Sequence, residues 1–200
     1  MSNPTAETPE TPETQPDSPS GTQSESAESF DSEVAATYAV LTTCWREPTD
    51  HLVSVLERGE LTPLFGSLDE VDGRDLRSEY ARLFIGPAGP PCPPYESVYR
   101  DGDGDDFGPV MGPATIAVDH WYRSFGLENA PEQADLPDHI ATELEFCAHL
   151  ASEGRDDRLE QFLDEHPRAW TTAFLDRVEA ETNEPFYASL AATTREVLQR

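Results

Sequence analysis

Residues 30–45 read FDSEVAATYAVLTTCW, and the spacing of their large apolar side chains sets the fold class. Phe30, Val34, Tyr38, Leu41 and Trp45 recur at three- to four-residue intervals, the repeat that gathers side chains on one face of a helix. The same period returns along the chain. Pro48 ends the first helix, Leu52, Val53 and Leu56 predict a short second one that stops at Gly59, and Leu76, Tyr80, Leu83 and Phe84 predict a third running into Gly86 and Pro87. Ile116, Val118, Trp121, Tyr122 and Phe125 predict a helix from Val110 to Phe125. The next opens at Asp135, expected as its N-cap, with Pro137 in the first turn and Asp138 third in an arrangement like a capping box; Ile140, Leu144, Cys147, Ala148 and Ala151 supply its apolar stripe. Further helices are expected over 159–163, 167–178 and 185–198. No segment carries a strand period of useful length. The fold class is all-α, a single-domain helical bundle interrupted by a long loop at 86–109, where the run GPAGPPCPPYESVYRDGDGDDFGP is too rich in proline and glycine for a regular element.

Two hundred residues suffice for one ordinary domain with a tail. Residues 1–29 hold prolines and acids, no base and almost nothing apolar, so they are expected as a disordered acidic tail ahead of a domain at 30–200. They also lack the basic and apolar regions of a secretory signal. No stretch approaches the roughly 18 apolar residues of a membrane span. The three cysteines, Cys44, Cys92 and Cys147, are too far apart for a close metal-binding pair and odd in number, which points to a reducing, cytoplasmic setting.

Forty acidic residues face 13 basic ones, a net charge of -27, and every basic residue is arginine. An unspecific nucleic-acid binder is excluded, because neutralising phosphates requires a cationic surface. Lysine-dependent chemistry, including Schiff bases and the phosphate-binding P-loop, is excluded as well. The acids run from Glu7 to Glu196 without clustering, as expected for a protein adapted to high intracellular salt. At molar salt the screening length is about 3 Å, so recognition has to rest on contact pairs and apolar burial.

The familiar chemical motifs fail one by one. Asp101, Asp103 and Asp105 begin like a calcium loop, but Asp106 stands where glycine is needed and Gly112 where glutamate is needed. His139 and Glu143, and Glu145 and His149, have helical spacing, yet the Glu-x-x-His pairs of a di-metal bundle are missing. There is no nucleophile elbow and no dinucleotide fingerprint. No cofactor and no catalytic residue is assigned. A helical metal-binding enzyme using His139, Glu143, Glu145 and His149 stays as a rival reading.

Four segments remain: Tyr80-Ala-Arg-Leu-Phe-Ile-Gly-Pro87, Pro93-Pro-Tyr-Glu-Ser-Val-Tyr99, Leu136-Pro-Asp-His-Ile140 and Glu184-Pro-Phe-Tyr187. In order and spacing they resemble the TorD/DmsD family of redox-enzyme maturation chaperones, across about Phe30 to Leu198. Two positions depart from the family pattern: Leu136 stands where glutamate is common, and Tyr80 where tryptophan is. The resemblance implies a non-enzymatic cytoplasmic chaperone of the TorD-like helical type. Its partner would be the twin-arginine signal peptide and apo form of a molybdopterin oxidoreductase subunit, which it would hold until the cofactor is inserted before export. An alternative is a NarJ-type assembly chaperone for a nitrate-reductase-like subunit. Monomer and dimer both fit.

A twin-arginine leader offers two guanidinium groups and an apolar stretch, so its receptor needs carboxylates beside a greasy groove. By family match, Asp138 and His139 lie at the peptide site, Asp138 as an arginine acceptor and His139 as a donor. Tyr80, Leu83 and Phe84 would line the groove, with Pro94, Tyr95 and Tyr99 from the loop motif and Trp45 from the first helix. Glu96 is a candidate second arginine partner on its charge and position alone. Each also has an ordinary reading: Asp138 as a helix cap with His139 at the surface, and Tyr80, Leu83, Phe84 and Trp45 as core. The guanine-nucleotide binding of some family members is not expected without a P-loop or lysine.

Overall fold

The apolar stripes become ten α-helices in a computed structural model that describes residues 1, 22–68, 71–86, 89–102, 106–128 and 135–200. They are α1 (Thr22–Cys44), α2 (Asp50–Glu57), α3 (Thr62–Phe65), α4 (Gly73–Tyr80), α5 (Glu96–Arg100), α6 (Pro113–Ser124), α7 (Ile140–Ser152), α8 (Asp156–Glu165), α9 (Pro167–Glu181) and α10 (Pro185–Leu198). Among the described residues there is no strand, only one isolated antiparallel bridge between Tyr95 and His139. None of these helices is long and apolar enough to cross a membrane. α1 starts eight residues ahead of Phe30, so residues 22–29 of the acidic segment are helical, while residues 2–21 lie outside the described residues. Extending a helix that packing has already nucleated adds one hydrogen bond per residue fixed.

Local sequence explains most of the boundaries. The Thr49 hydroxyl accepts from Leu52 N at 3.2 Å and caps α2; the Asp72 carboxylate accepts from Arg74 N and Asp75 N and caps α4. Pro113, Pro167 and Pro185 open α6, α9 and α10, where a missing N–H is no loss. α6 therefore starts at Pro113 and not at Val110, and the carboxylate of Asp101 caps it across the loop by accepting from Ala114 N at 2.9 Å. After Tyr80 the backbone widens into one π-helical turn, Ala81–Ile85, which brings both Leu83 and Phe84 inward. Gly86 closes that turn at φ 28°, where an added Cβ would stand 3.1 Å from Pro90 Cα, so the position needs glycine.

The core is aromatic. α1 packs most extensively on α7, and α9 on α10. The Trp45 ring lies 5.9 Å from Phe84 and 5.0 Å from Phe174, and its indole N–H donates to Thr194 Oγ1 at 3.0 Å. Between α6, α7 and α8 a second aromatic group forms from Trp121, Tyr122, Phe146 and Phe162. The three cysteines are buried and unbonded, and burial pushes the thiols of Cys44 and Cys92 up to about 12. They are packing residues.

Candidate functional site

The Pro-rich loop and the segment ahead of α7 lie side by side as a short antiparallel pair. Ile140 N donates to Pro94 O at 3.0 Å and Glu96 N to Asp138 O at 2.9 Å, with the Tyr95 and His139 rings edge-on at 5.3 Å. This pairing corrects two expectations. A regular element does form inside 86–109: α5 is only five residues long, but Asp138 supplies acceptors for its first two N–H groups from outside, the second through Asp138 Oδ2 to Ser97 N at 3.0 Å. And α7 begins at Ile140 with His139 as its N-cap, five residues beyond the expected start at Asp135, because residues 138–140 are held extended against the loop.

Asp138 is wholly buried. One of its oxygens caps α5, and the other, Oδ1, has no hydrogen-bond partner among the described residues. It is not an exposed acceptor for an incoming arginine; its place is to fasten the loop to α7. His139 is only 2% exposed, so it is not a surface residue either. Its Nδ1 accepts from Ala141 N at 3.1 Å, which leaves the proton on Nε2. Burial, aided by the charge of Arg46 and opposed by Asp135 and Asp138, holds its pKa down at about 4. A neutral imidazole with Nε2–H is a hydrogen-bond donor and cannot accept from a guanidinium.

Glu96 is a second correction of role. At 0% exposure it points inward from the first turn of α5, with His166 Nδ1 2.9 Å from Oε2 and the Arg100 guanidinium on Oε1. Beside it Glu143, equally buried, accepts from Trp170 Nε1 at 3.0 Å. Burial and the neighbouring Glu96 push the Glu143 carboxyl well above the usual range. Sequence reasoning missed this network, although one signal was present: Glu143 sits three residues from Ile140 and four from Cys147, on the apolar stripe. The rival metal set does not converge, since Glu143 faces Trp170, Glu145 faces Arg46 and His139 caps its helix. Among the described residues no group of three or more His, Cys, Asp or Glu could hold a metal ion.

Trp45, Leu83 and Phe84 are core residues, and Tyr80 is 8% exposed. Tyr80 stacks edge-on against Phe84 at 5.1 Å, and its hydroxyl is raised above its ordinary pKa by burial, then by the charges of Asp135 and Tyr95. Pro94 is buried, with its carbonyl bound to Ile140 N. Tyr99 is half-buried and belongs to a different neighbourhood, tilted against Trp170 and edge-on to Phe107. Pro87 of the Tyr80–Pro87 motif lies outside the described residues.

Of the ten expected site residues, Tyr95 and His139 are in ring contact, Asp138 ties their two segments together, and Tyr80, packed on Phe84, is near enough to feel the charge of Tyr95; these four make up the candidate patch. Tyr95 is its half-exposed member. The patch has an acidic rim that sequence reasoning did not assign: Glu47, Asp135 and Glu145, with Arg46 between the last two. On another face a cavity of about 670 Å³ is lined by Arg100, His120, Trp121, Glu165 and His166 among others.

An all-helical body whose buried polar groups serve to clamp one loop, and whose surface sets a tyrosine beneath an acidic rim, has the build of a polypeptide-binding protein. The family profile described as nitrate reductase delta subunit matches residues 41–176. The Tat proofreading chaperone DmsD of Salmonella paratyphi A is 32% identical over 140 residues, 70% of this chain and 67% of its own length. The chaperone protein YcdY of Escherichia coli is 31% identical over 133 residues, 64% of this chain and 63% of its own. Among solved structures, one described as a redox enzyme maturation protein from Archaeoglobus fulgidus superposes with a TM-score of 0.60 at 27% identity, covering 86% of this chain and 94% of that one. The chain belongs to this family of redox-enzyme maturation chaperones. Its members are chaperones, not enzymes.

Proposed function

We propose that this protein binds the twin-arginine signal peptide of a molybdopterin-dependent oxidoreductase subunit in a salt-rich cytoplasm and holds the apo subunit until its cofactor is in place. The observation that carries this reading is the patch itself: Tyr95 half-exposed against the His139 ring, with Tyr80 near enough to feel the charges of Tyr95, Glu47 and Asp135, and Asp135 and Glu145 joined through Arg46. An extended leader needs an aromatic surface for its apolar part and carboxylates for its arginines. Tyr95 with Tyr80 offers the first and the rim the second, while the buried His139 supports the Tyr95 ring from behind. Asp138 acts one step back, by keeping Tyr95 and His139 adjacent.

The test is titration of a labelled twin-arginine peptide in molar potassium chloride. Tyr95→Ala removes the exposed aromatic without touching the buried clamp, and it should weaken binding about tenfold, the equivalent of 1.4 kcal/mol. Full binding by a folded Tyr95→Ala protein would remove the patch as the site. A second reading has the body of a nitrate-reductase-like subunit as the main contact, favoured by the family description that the chain matches. Capture of a client lacking its leader, at undiminished affinity, would select it.

A further inference from the structure

Arg46 follows the last turn of α1 and reaches across to α7. Its Nε donates to Asp135 Oδ2 at 3.2 Å and its NH2 group to Glu145 Oε2 at 2.6 Å, so two carboxylates from separate elements hold two N–H groups of one guanidinium. The Arg46 side chain is 35% exposed and Asp135 36%, so this contact lies at the surface edge of the patch and not beneath it. His139, only 2% exposed, lies near enough to feel the charges of both Asp135 and Arg46. Tyr80 feels Asp135, Glu47 and Arg46 as well. As a strut between α1 and α7 the ion pair is redundant, since those helices already share the most extensive packing in the molecule. In high salt an exposed pair stabilises little.

We infer that Asp135 and Glu145 form a guanidinium subsite for an arginine of the client leader, and that Arg46 fills it until the leader displaces it. The inference rests on the signal-peptide reading above and names one contact of that same site. Arg46 is then a specificity device: a leader has to offer a group that outcompetes a resident arginine. A guanidinium can present two N–H groups to the two carboxylates, whereas an ammonium is a point charge and fits that fork less well. An internal arginine at the rim raises the threshold that any incoming cation has to exceed at this contact.

The experiment compares wild type, Arg46→Gln, and the triple variant Arg46→Gln, Asp135→Asn, Glu145→Gln in molar potassium chloride. The probes are a fluorescein-labelled peptide of paired arginines followed by an apolar stretch, and its paired-lysine counterpart. Arg46→Gln should bind the arginine peptide about twofold tighter, because the two exposed ion pairs it releases are weak in high salt. The gain should be smaller for the lysine peptide and absent from the triple variant. If wild type binds and folded Arg46→Gln binds equally or more weakly, the resident-arginine inference is overturned while the signal-peptide reading stands. An equal gain for both peptides overturns the guanidinium assignment. No binding by either protein overturns the signal-peptide reading and the subsite with it. The double variant Asp135→Asn, Glu145→Gln keeps Arg46 but leaves it unpaired. It should bind the arginine peptide more weakly than wild type, and tighter binding would again overturn the subsite.

Discussion

Replacing His139 by asparagine isolates one titration within a molecule crowded with acids. The structure holds the His139 pKa at about 4, against an ordinary value of 6.5, chiefly through burial. Below pH 6.5 the unfolded chain takes up a proton at this ring that the folded chain refuses. Stability from this source is therefore complete above pH 6.5 and lost as pH falls toward 4. Only part of that window is usable, because the chain approaches its pI near 4.2. Between pH 7.5 and pH 5 a shift of this size removes about 2 kcal/mol. Asparagine is a good N-cap and can accept from Ala141 N as the Nδ1 of His139 does, but it carries no titrating group. The loss of the ring contact with Tyr95 lowers stability by an amount that does not depend on pH. Urea unfolding followed by far-ultraviolet dichroism, in molar salt and at half-unit pH intervals, gives the stability of both proteins. The advantage of wild type over His139→Asn should shrink by about 2 kcal/mol on going from pH 7.5 to pH 5. A constant difference across that range would show that His139 titrates normally, and its burial and neutral Nε2–H donor would both have to be abandoned.

Two other expectations follow from the buried polar network. Asp138→Ala leaves Ser97 N without an acceptor and leaves the loop tied to the α7 segment by its backbone bonds alone, so urea unfolding should show a loss of about 1–3 kcal/mol, whereas Asp138→Asn, which keeps an oxygen in place, should lose less; equal losses would deny the clamp. Glu143→Gln retains an acceptor for Trp170 Nε1 but cannot ionise. Because the folded-state pKa of Glu143 is raised, wild type loses stability relative to this variant as pH rises from the unfolded value near 4.5 toward the folded one, so the variant should gain on wild type from pH 5 to pH 8. A difference that stays flat would place the proton elsewhere.

The helical stripes were legible because a 3.6-residue period depends only on neighbours in sequence. The burial of Tyr38 and Leu41 in α1, of Trp45 just past its end, and of Ile140, Leu144 and Cys147 in α7, follows from spacing alone. So do the starts at Pro167 and Pro185, where proline chemistry is local. The motif residues were legible, their roles in the fold were not. Asp138 is a buried clamp and His139 a neutral cap. Nothing in residues 135–140 shows that their backbone must pair with residues 94–97, and that pairing moved the helix start from Asp135 to Ile140. Glu96 read as a surface acid because its neighbours in sequence are loop residues; its neighbours in space are His166 and Glu143.

By itself the sequence determined that the chain is helical, where its helices mostly lie, and that it cannot use lysine chemistry. Only the tertiary structure decided which carboxylates face solvent. Asp138, Glu96 and Glu143 are withdrawn from it, while Glu47, Asp135 and Glu145 ring the patch. The physical reason is that a carboxylate's character depends on desolvation and on the charges within a few ångströms. Those are set by segments 40 to 100 residues away along the chain, which no local pattern encodes.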